Sequence, residues 1–244
     1  MKPIVIIPAR YHSSRFLGKP LALIHGKPMI QRVVEKVKPA VAEVWVATDH
    51  EEIASTVREF GGNVVMTSPL HTSGTDRCAE AARILSSETD FDVVINVQGD
   101  EPFISPRQIA ELTACFTPGV QIVTLVRKIK DPDELANPNK PKVVIGANGD
   151  AIYFSRSVIP HVRGIEVRDW LNHHTFWAHV GLYGYLKDVL QEITLLPPGE
   201  LETAESLEQL RWLENGYRIK VAETLYAGFG IDTPEDLARA MQLF

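Results

Sequence analysis

Three cations, Arg10, Arg15 and Lys19, stand within ten residues directly behind the apolar run Ile4–Ile7, in a chain whose net charge is -6. With the hydroxyls of Ser13 and Ser14 and the loop's own amides they suit a polyphosphate, because an arginine fork matches phosphate oxygens and lysine adds a point charge. Asp100 in "VQGDEP" and Asp232 in "GIDTPED" each follow an apolar strand and precede a polar turn. Both are therefore expected at one crevice, where they would hold Mg²⁺ against phosphate oxygens. Taken alone, each aspartate reads more simply as a turn or capping residue, and Asp232 precedes a helix start, where a carboxylate is stabilised anyway.

The familiar phosphate loops are excluded. A Walker loop needs a glycine five residues ahead of Gly18-Lys19 and a Ser or Thr after them, where this chain has Ser13 and Pro20. A dinucleotide fingerprint needs G-x-G-x-x-G behind the first strand, and no glycine precedes Gly18. That argues against an NAD-dependent dehydrogenase, although Asp49 would mimic its ribose-binding acid. A non-catalytic nucleotide-binding module would keep the basic loop but needs no carboxylates on two further loops. His173, His174 and His179 lack structural-zinc spacing and cysteine partners, so zinc is not expected. Cys78 and Cys115 form neither a CxxC pair nor a disulfide framework, as suits a reducing compartment.

The elements that must position these groups follow from the apolar pattern. At 244 residues, 45% hydrophobic and 23% charged, the chain has the composition of a soluble globular protein with one large α/β domain. The acidic balance argues against broad nucleic-acid or anionic-membrane binding. The apolar start is too short for a signal peptide and no run approaches the roughly 18 apolar residues of a membrane span, so a cytoplasmic protein is expected. Ile4–Ile7, Val44–Ala47, Val64–Met66, Val93–Val97 and Val123–Val126 read as strands of a doubly covered, mostly parallel sheet.

Helices are expected over Pro28–Lys38, Glu51–Phe60 with a Gly61-Gly62 stop, from Ser105 through a capping box, from Thr233-Pro234, and over Thr203–Asn215. The fold class is thus a doubly wound, Rossmann-like α/β sheet flanked by helices. Between about 137 and 198 the chain becomes rich in proline and glycine, with strand-like pieces Lys142–Ile145, Ala151–Phe154 and Val180–Tyr185. This reads as a mixed-sheet lobe inserted into a single domain spanning 1–244, before Ile219–Thr224 returns as a strand. The acidic run Glu200, Glu202, Glu205 and Glu208 reads as a solvated helix face. Trp170, Trp177 and Trp212 read as core or interface.

Taken in order, "IIPARYHSSRFLGKPL", "VATDHEEI", "SGTDR", "VINVQGDEP", "YFSR", "HVGLYGY", "LEQLRWLENG" and "GIDTPEDL" resemble the motif series of the CMP-Kdo synthetases, the 3-deoxy-manno-octulosonate cytidylyltransferases of lipopolysaccharide assembly. The resemblance spans nearly the whole chain. It implies that Arg10, Ser14, Arg15 and Lys19 hold the triphosphate of CTP and that Ala9 lies at the nucleotide. Ser73, Gly74, Arg77 and Gln98 are implied beside the nucleotide; from spacing alone, "SGTDR" is an ordinary helix cap. Asp100 and Asp232 match the family's magnesium ligands. Gln98, Arg156, His179, Tyr183, Glu208 and Gln209 fall where the acidic sugar is expected. A homodimer that uses the inserted lobe is also implied, although a buried strand explains "FWAHVGLYGY" as well.

The implied reaction is in-line attack of the anomeric hydroxyl on the α-phosphorus, with Arg15 and Lys19 stabilising the departing pyrophosphate. No dedicated base is evident, and Mg²⁺ is expected to replace one. The runner-up is a cytidylyltransferase for another acidic sugar, sialic acid or 8-amino-Kdo. Two positions depart from the family pattern: Leu17 stands where proline is usual, and Asp76 where glutamate is usual. Leu17 frees a φ angle and is expected to loosen the loop when no nucleotide is bound.

Overall fold

The computed structural model describes residues 1–12 and 15–243. Its first half alternates strand and helix: β1 (Pro3–Ala9), the short hairpin β2 (Leu23–Ile24) and β3 (Lys27–Pro28), α1 (Met29–Val37), β4 (Glu43–Thr48), α2 (Glu51–Glu59), β5 (Asn63–Met66), α3 (Gly74–Leu85), β6 (Val93–Asn96), α4 (Pro106–Ala114) and β7 (Ile122–Lys128). The second half holds α5 (Pro132–Ala136), β8 (Lys142–Ile145), β9 (Ala151–Ser155), α6 (Trp170–His173), β10 (Trp177–Leu186), α7 (Lys187–Thr194), α8 (Glu200–Glu205), α9 (Gln209–Glu214), β11 (Ile219–Glu223) and α10 (Pro234–Leu243).

Along β1 the side chains alternate between two cores. Ile4 and Ile6 pack with residues of α3, α7 and α9, while Val5 and Ile7 pack with α1, α2 and α4. A strand buried on both faces must be apolar at every position, which is why "IVII" carries no polar residue. Each such side chain contributes about 1.5–3 kcal/mol of burial. The main sheet runs β11-β7-β10-β6-β1-β4-β5. Every neighbouring pair is parallel except the two made by β10.

Local signals place several helix ends. Ser105 accepts from the amide of Arg107, and Gln108 takes the Ser105 N–H at 3.0 Å, the reciprocal cap expected from the sequence. Glycine after Phe60 likewise ends α2, with Gly61 at φ 74°.

Three features differ from the sequence expectation. Only the β8–β9 hairpin forms a side patch of the proposed lobe; β10 runs between β6 and β7 in the main sheet. Gly184 permits this, since a Cβ there would press on Leu112 and Phe116, which cover the strand. The single helix expected over Thr203–Asn215 is two, α8 and α9, separated at Ser206, whose φ of 51° is left-handed. Lastly, the acidic run is not a solvated face. Glu202 binds Arg211 at 2.6 Å, Glu205 accepts from Ser155 at 2.6 Å, and Glu208 accepts from Thr75 at 2.6 Å; Glu200 alone of the four is exposed. Trp212 and Trp170 are buried, as expected, and Trp177 is half-buried. No helix among the described residues is long and apolar enough to cross a membrane.

Candidate active site

Because β1, β4 and β6 are parallel, their following loops open on one edge of the sheet, where an α/β fold places its ligand. The cleft at that edge is lined by Pro8, Ala9 and Arg10 after β1, by Gln98, Gly99 and Asp100 after β6, and by Ser73, Gly74 and Arg77 at the start of α3. Arg15, Lys19 and Asp232 complete its polar wall, with His71 and Thr72 beside them. Ser13 and Ser14, the latter expected at the triphosphate, lie outside the described residues.

Two glycines shape the floor. A Cβ on Gly99 would stand 2.9 Å from the Pro8 carbonyl oxygen, so glycine lets the ends of β1 and β6 approach. A Cβ on Gly74 would meet the Pro8 ring at 3.2 Å. The first turn of α3 therefore lies directly on the end of β1. Ser73 caps that helix, accepting from the Asp76 amide at 3.0 Å.

The two carboxylates converge. Lys19 Nζ donates to Asp100 at 2.6 Å and to Asp232 at 3.3 Å, and Arg15 lies 3.1 Å from Asp232. The backbones of the two acidic loops are tied by the Ile231 amide donating to the Asp100 carbonyl at 2.9 Å. Capping of α10 falls instead to Thr233, whose hydroxyl accepts from the Asp236 amide while Asp236 takes the Thr233 N–H. Asp232 is thereby left to face the cations. Next to Asp100, burial first and the Asp100 charge second push the Glu101 carboxyl up to about 7. Glycine at 228 and 230 makes room for it, since a Cβ on Gly228 would meet a Glu101 oxygen at 2.9 Å. Sequence reasoning passed over Glu101, and its adjacency to Asp100 was the available signal.

Arg77 lines the cleft but is committed to the fold. It is 3% exposed, with Nη1 donating to Thr67 at 2.7 Å and Nη2 to Asp49 at 3.1 Å. Asp49, weighed in the sequence as a ribose-binding acid, is the counter-ion that keeps this guanidinium inside. Arg10 stands exposed on the rim.

Two of the expected sugar-side residues, His179 and Tyr183, stand toward this edge because β10 is antiparallel, and Gln98 alone of the six lines the cleft itself. The first half of β10 projects to the same edge, and Tyr183 pairs with Asn96, the last residue of β6. His179 lies two residue pairs further toward that edge along β7, with Nε2 3.2 Å from Thr124 Oγ1 and its ring 5.3 Å from that of Tyr183. Burial lowers the His179 pKa to about 4, so the imidazole is neutral at pH 7. Gln98 Nε2 donates to Asn96 at 3.1 Å. Glu208 is held by Thr75, and its carboxyl is raised, chiefly by burial. Gln209 is 5% exposed and its side-chain Nε2 has no hydrogen-bond partner among the described residues. Arg156 gives three of its N–H groups to the carbonyls of Glu205, Pro138 and Ser206, and the other two have no hydrogen-bond partner among the described residues. His173 and His174 are exposed and lie away from this group on α6 and its cap.

The Cytidylyltransferase family matches this chain over residues 4–220. A 3-deoxy-manno-octulosonate cytidylyltransferase of Parabacteroides distasonis is 56% identical over 99% of this chain and 97% of its own length. The chain belongs to the 3-deoxy-manno-octulosonate cytidylyltransferases. Another member, from Phocaeicola vulgatus, is 57% identical over 98% of this chain and 96% of its own. In three dimensions the chain is similar to a CMP:2-keto-3-deoxy-manno-octonic acid synthetase solved in complex with CTP, with TM-score 0.90, 42% identity and coverage of 100% of this chain and 98% of that one. The cleft between β1, β6 and α3 holds most of the residues expected at the nucleotide, the expected nucleotide wall, and the β10–α9 side holds several of those expected at the sugar, the expected sugar wall.

Proposed function

We propose that the chain transfers CMP from CTP to the anomeric hydroxyl of 3-deoxy-manno-octulosonate, releasing pyrophosphate. The observation that carries this reading is the meeting of Lys19 and Arg15 with Asp100 and Asp232 in one cleft beside the α3 start. A cytidylyltransfer needs cations for the triphosphate and hard oxygen ligands for its metal, and here both sets stand within contact of each other.

The pair Asp100 and Asp232 fits Mg²⁺. Two carboxylates on different loops already share one ammonium, so they present hard oxygen donors to a common point. When bound there, the ion supplies charge neutralisation at phosphate oxygens and acidifies a neighbouring hydroxyl. Lys19 and Arg15 then turn from the aspartates to the triphosphate, where they stabilise charge building on the leaving pyrophosphate. Arg10 on the rim adds a third cation. Gly74 and Gly99 keep side chains out of the floor, so that the nucleotide lies against backbone. On the sugar wall, the two remaining N–H groups of Arg156 suit the sugar carboxylate, while Glu208, Gln209, Gln98 and Tyr183 suit its hydroxyls. Neutral His179 offers a neutral ring nitrogen there and brings no charge. The homodimer belongs to the same reading, with the 137–198 segment as its contact; sedimentation of the purified chain tests it.

Pyrophosphate release from CTP, measured with 3-deoxy-manno-octulosonate, sialic acid and 8-amino-Kdo in turn, tests the assignment. Turnover with the first is expected to exceed the others by at least about tenfold in kcat/KM, as lost or added polar contacts at a built site require. Release with none of the three would overturn the reading, and preference for another sugar would replace the substrate but keep the reaction.

A further inference from the structure

The Ser73-Gly74-Thr75 turn has two faces. Gly74 lies against Pro8 and Gln98 on the nucleotide wall. The hydroxyl of Thr75, a residue 4% exposed, donates at 2.6 Å to Oε2 of Glu208, 133 positions away on the sugar wall. The Ser73 side chain, on the other side of the glycine, also favours the charged form of Glu208. Glu208 can reach this turn because the chain breaks at Ser206, whose left-handed φ of 51° turns α9 away from the line of α8. Arg156 secures that break, donating to the carbonyls of Glu205 and Ser206.

We propose that Thr75 is a positioning residue for the sugar: its hydroxyl orients the Glu208 carboxylate and joins the nucleotide wall to the sugar wall. This rests on the proposed function. A carboxylate has two oxygens and about four acceptor sites, and with Oε2 occupied by Thr75 its remaining acceptor sites are set for a ligand hydroxyl. The first turn of α3, packed against the end of β1, is thus the rigid element that sets where the sugar's hydroxyls are met.

The test compares Thr75→Val, which keeps the shape and removes the donor, with Thr75→Ser, which keeps the donor. Steady-state kinetics with CTP and 3-deoxy-manno-octulosonate are measured together with CTP affinity by calorimetry without sugar. Thr75→Val is expected to raise the sugar KM about tenfold, the loss of one charge-assisted hydrogen bond, with CTP affinity unchanged within about twofold on the same scale. Thr75→Ser is expected to restore the sugar KM. In a Glu208→Gln background Thr75→Val should add little, since the partner is already altered. An equal loss of CTP affinity, a Ser variant as impaired as the Val variant, or additive losses with Glu208→Gln would each overturn the role. A wild-type chain inactive with this sugar would instead overturn the proposed function and the inference with it, whereas an active wild type with an unaffected Thr75→Val overturns only the inference.

Discussion

Lys19 and Asp100 are joined at 2.6 Å across 81 positions of sequence, linking the end of the basic loop to the end of β6. The Lys19 side chain is 14% exposed, and the same ammonium reaches Asp232. The proposed function assigns this cation to the triphosphate and these carboxylates to the metal, and on that reading the two charge sets, which satisfy one another here, part when ligand binds.

Asp100→Asn keeps the shape and removes the charge. Turnover at saturating Mg²⁺ and CTP is expected to fall about 100-fold or more, the scale of losing one preorganised electrostatic group. Stability should change by no more than about 1 kcal/mol, because the pair borders solvent. Near-normal turnover in the pyrophosphate assay would remove Asp100 from the reaction.

Mg-CTP is expected to protect the Arg10–Lys19 segment from trypsin. Among the described residues Arg15 has one ion pair, to Asp232, and 63% of its side chain is exposed, so the triphosphate competes for it easily. Cleavage at the same rate with and without Mg-CTP would count against closure of the loop on the nucleotide.

Leu17→Pro restores the residue usual in the family. Leu17 is 63% exposed, and its amide enters no backbone hydrogen bond among the described residues, so proline removes no backbone contact. Stabilisation of about 0.4–1 kcal/mol is expected from the narrower unfolded ensemble, together with a lower KM for CTP. Urea unfolding and steady-state kinetics check the two effects separately, and a destabilised variant would show that the loop needs the freedom at this position.

The pH dependence of stability carries a signature of His179. Its folded pKa is about 4, below the usual value near 6.5, so the folded state binds fewer protons than the unfolded chain between those limits. Its contribution is present in full above pH 6.5 and is lost as the pH falls toward 4, by about 2 kcal/mol between pH 7 and pH 5. Glu101, raised to about 7, acts with the opposite sign, its contribution being lost as the pH rises toward 7. Comparison of wild type with His179→Gln isolates the histidine, and thermal unfolding should show the variant losing about 2 kcal/mol less on acidification. Equal acid sensitivity of the two proteins would place the imidazole in water.

Elements whose cause is local were legible. The "IVII" run, the Ser105 capping box and the Gly61 stop are decided by neighbours within a few positions, and the structure holds them where expected. The α8–α9 break was not legible, because Ser206 is an ordinary residue for a helix and only its tertiary neighbours, Arg156 among them, fix the left-handed turn. The inward-facing glutamates were missed for the same reason: a carboxylate reads as solvated until the fold supplies Thr75, Ser155 or Arg211 as its donor.

By itself the sequence determined the family, the α/β class and which residue types stand at the strand ends, since motif order and apolar period are properties of the chain alone. Only the tertiary structure decided the partners. It put β10 antiparallel inside the sheet, which brings Tyr183 beside the end of β6. It turned Arg77 inward to Asp49 and left Lys19 to bridge Asp100 and Asp232. Such pairings join residues tens to hundreds of positions apart, and their energies depend on distance and burial, quantities that no spacing along the chain contains.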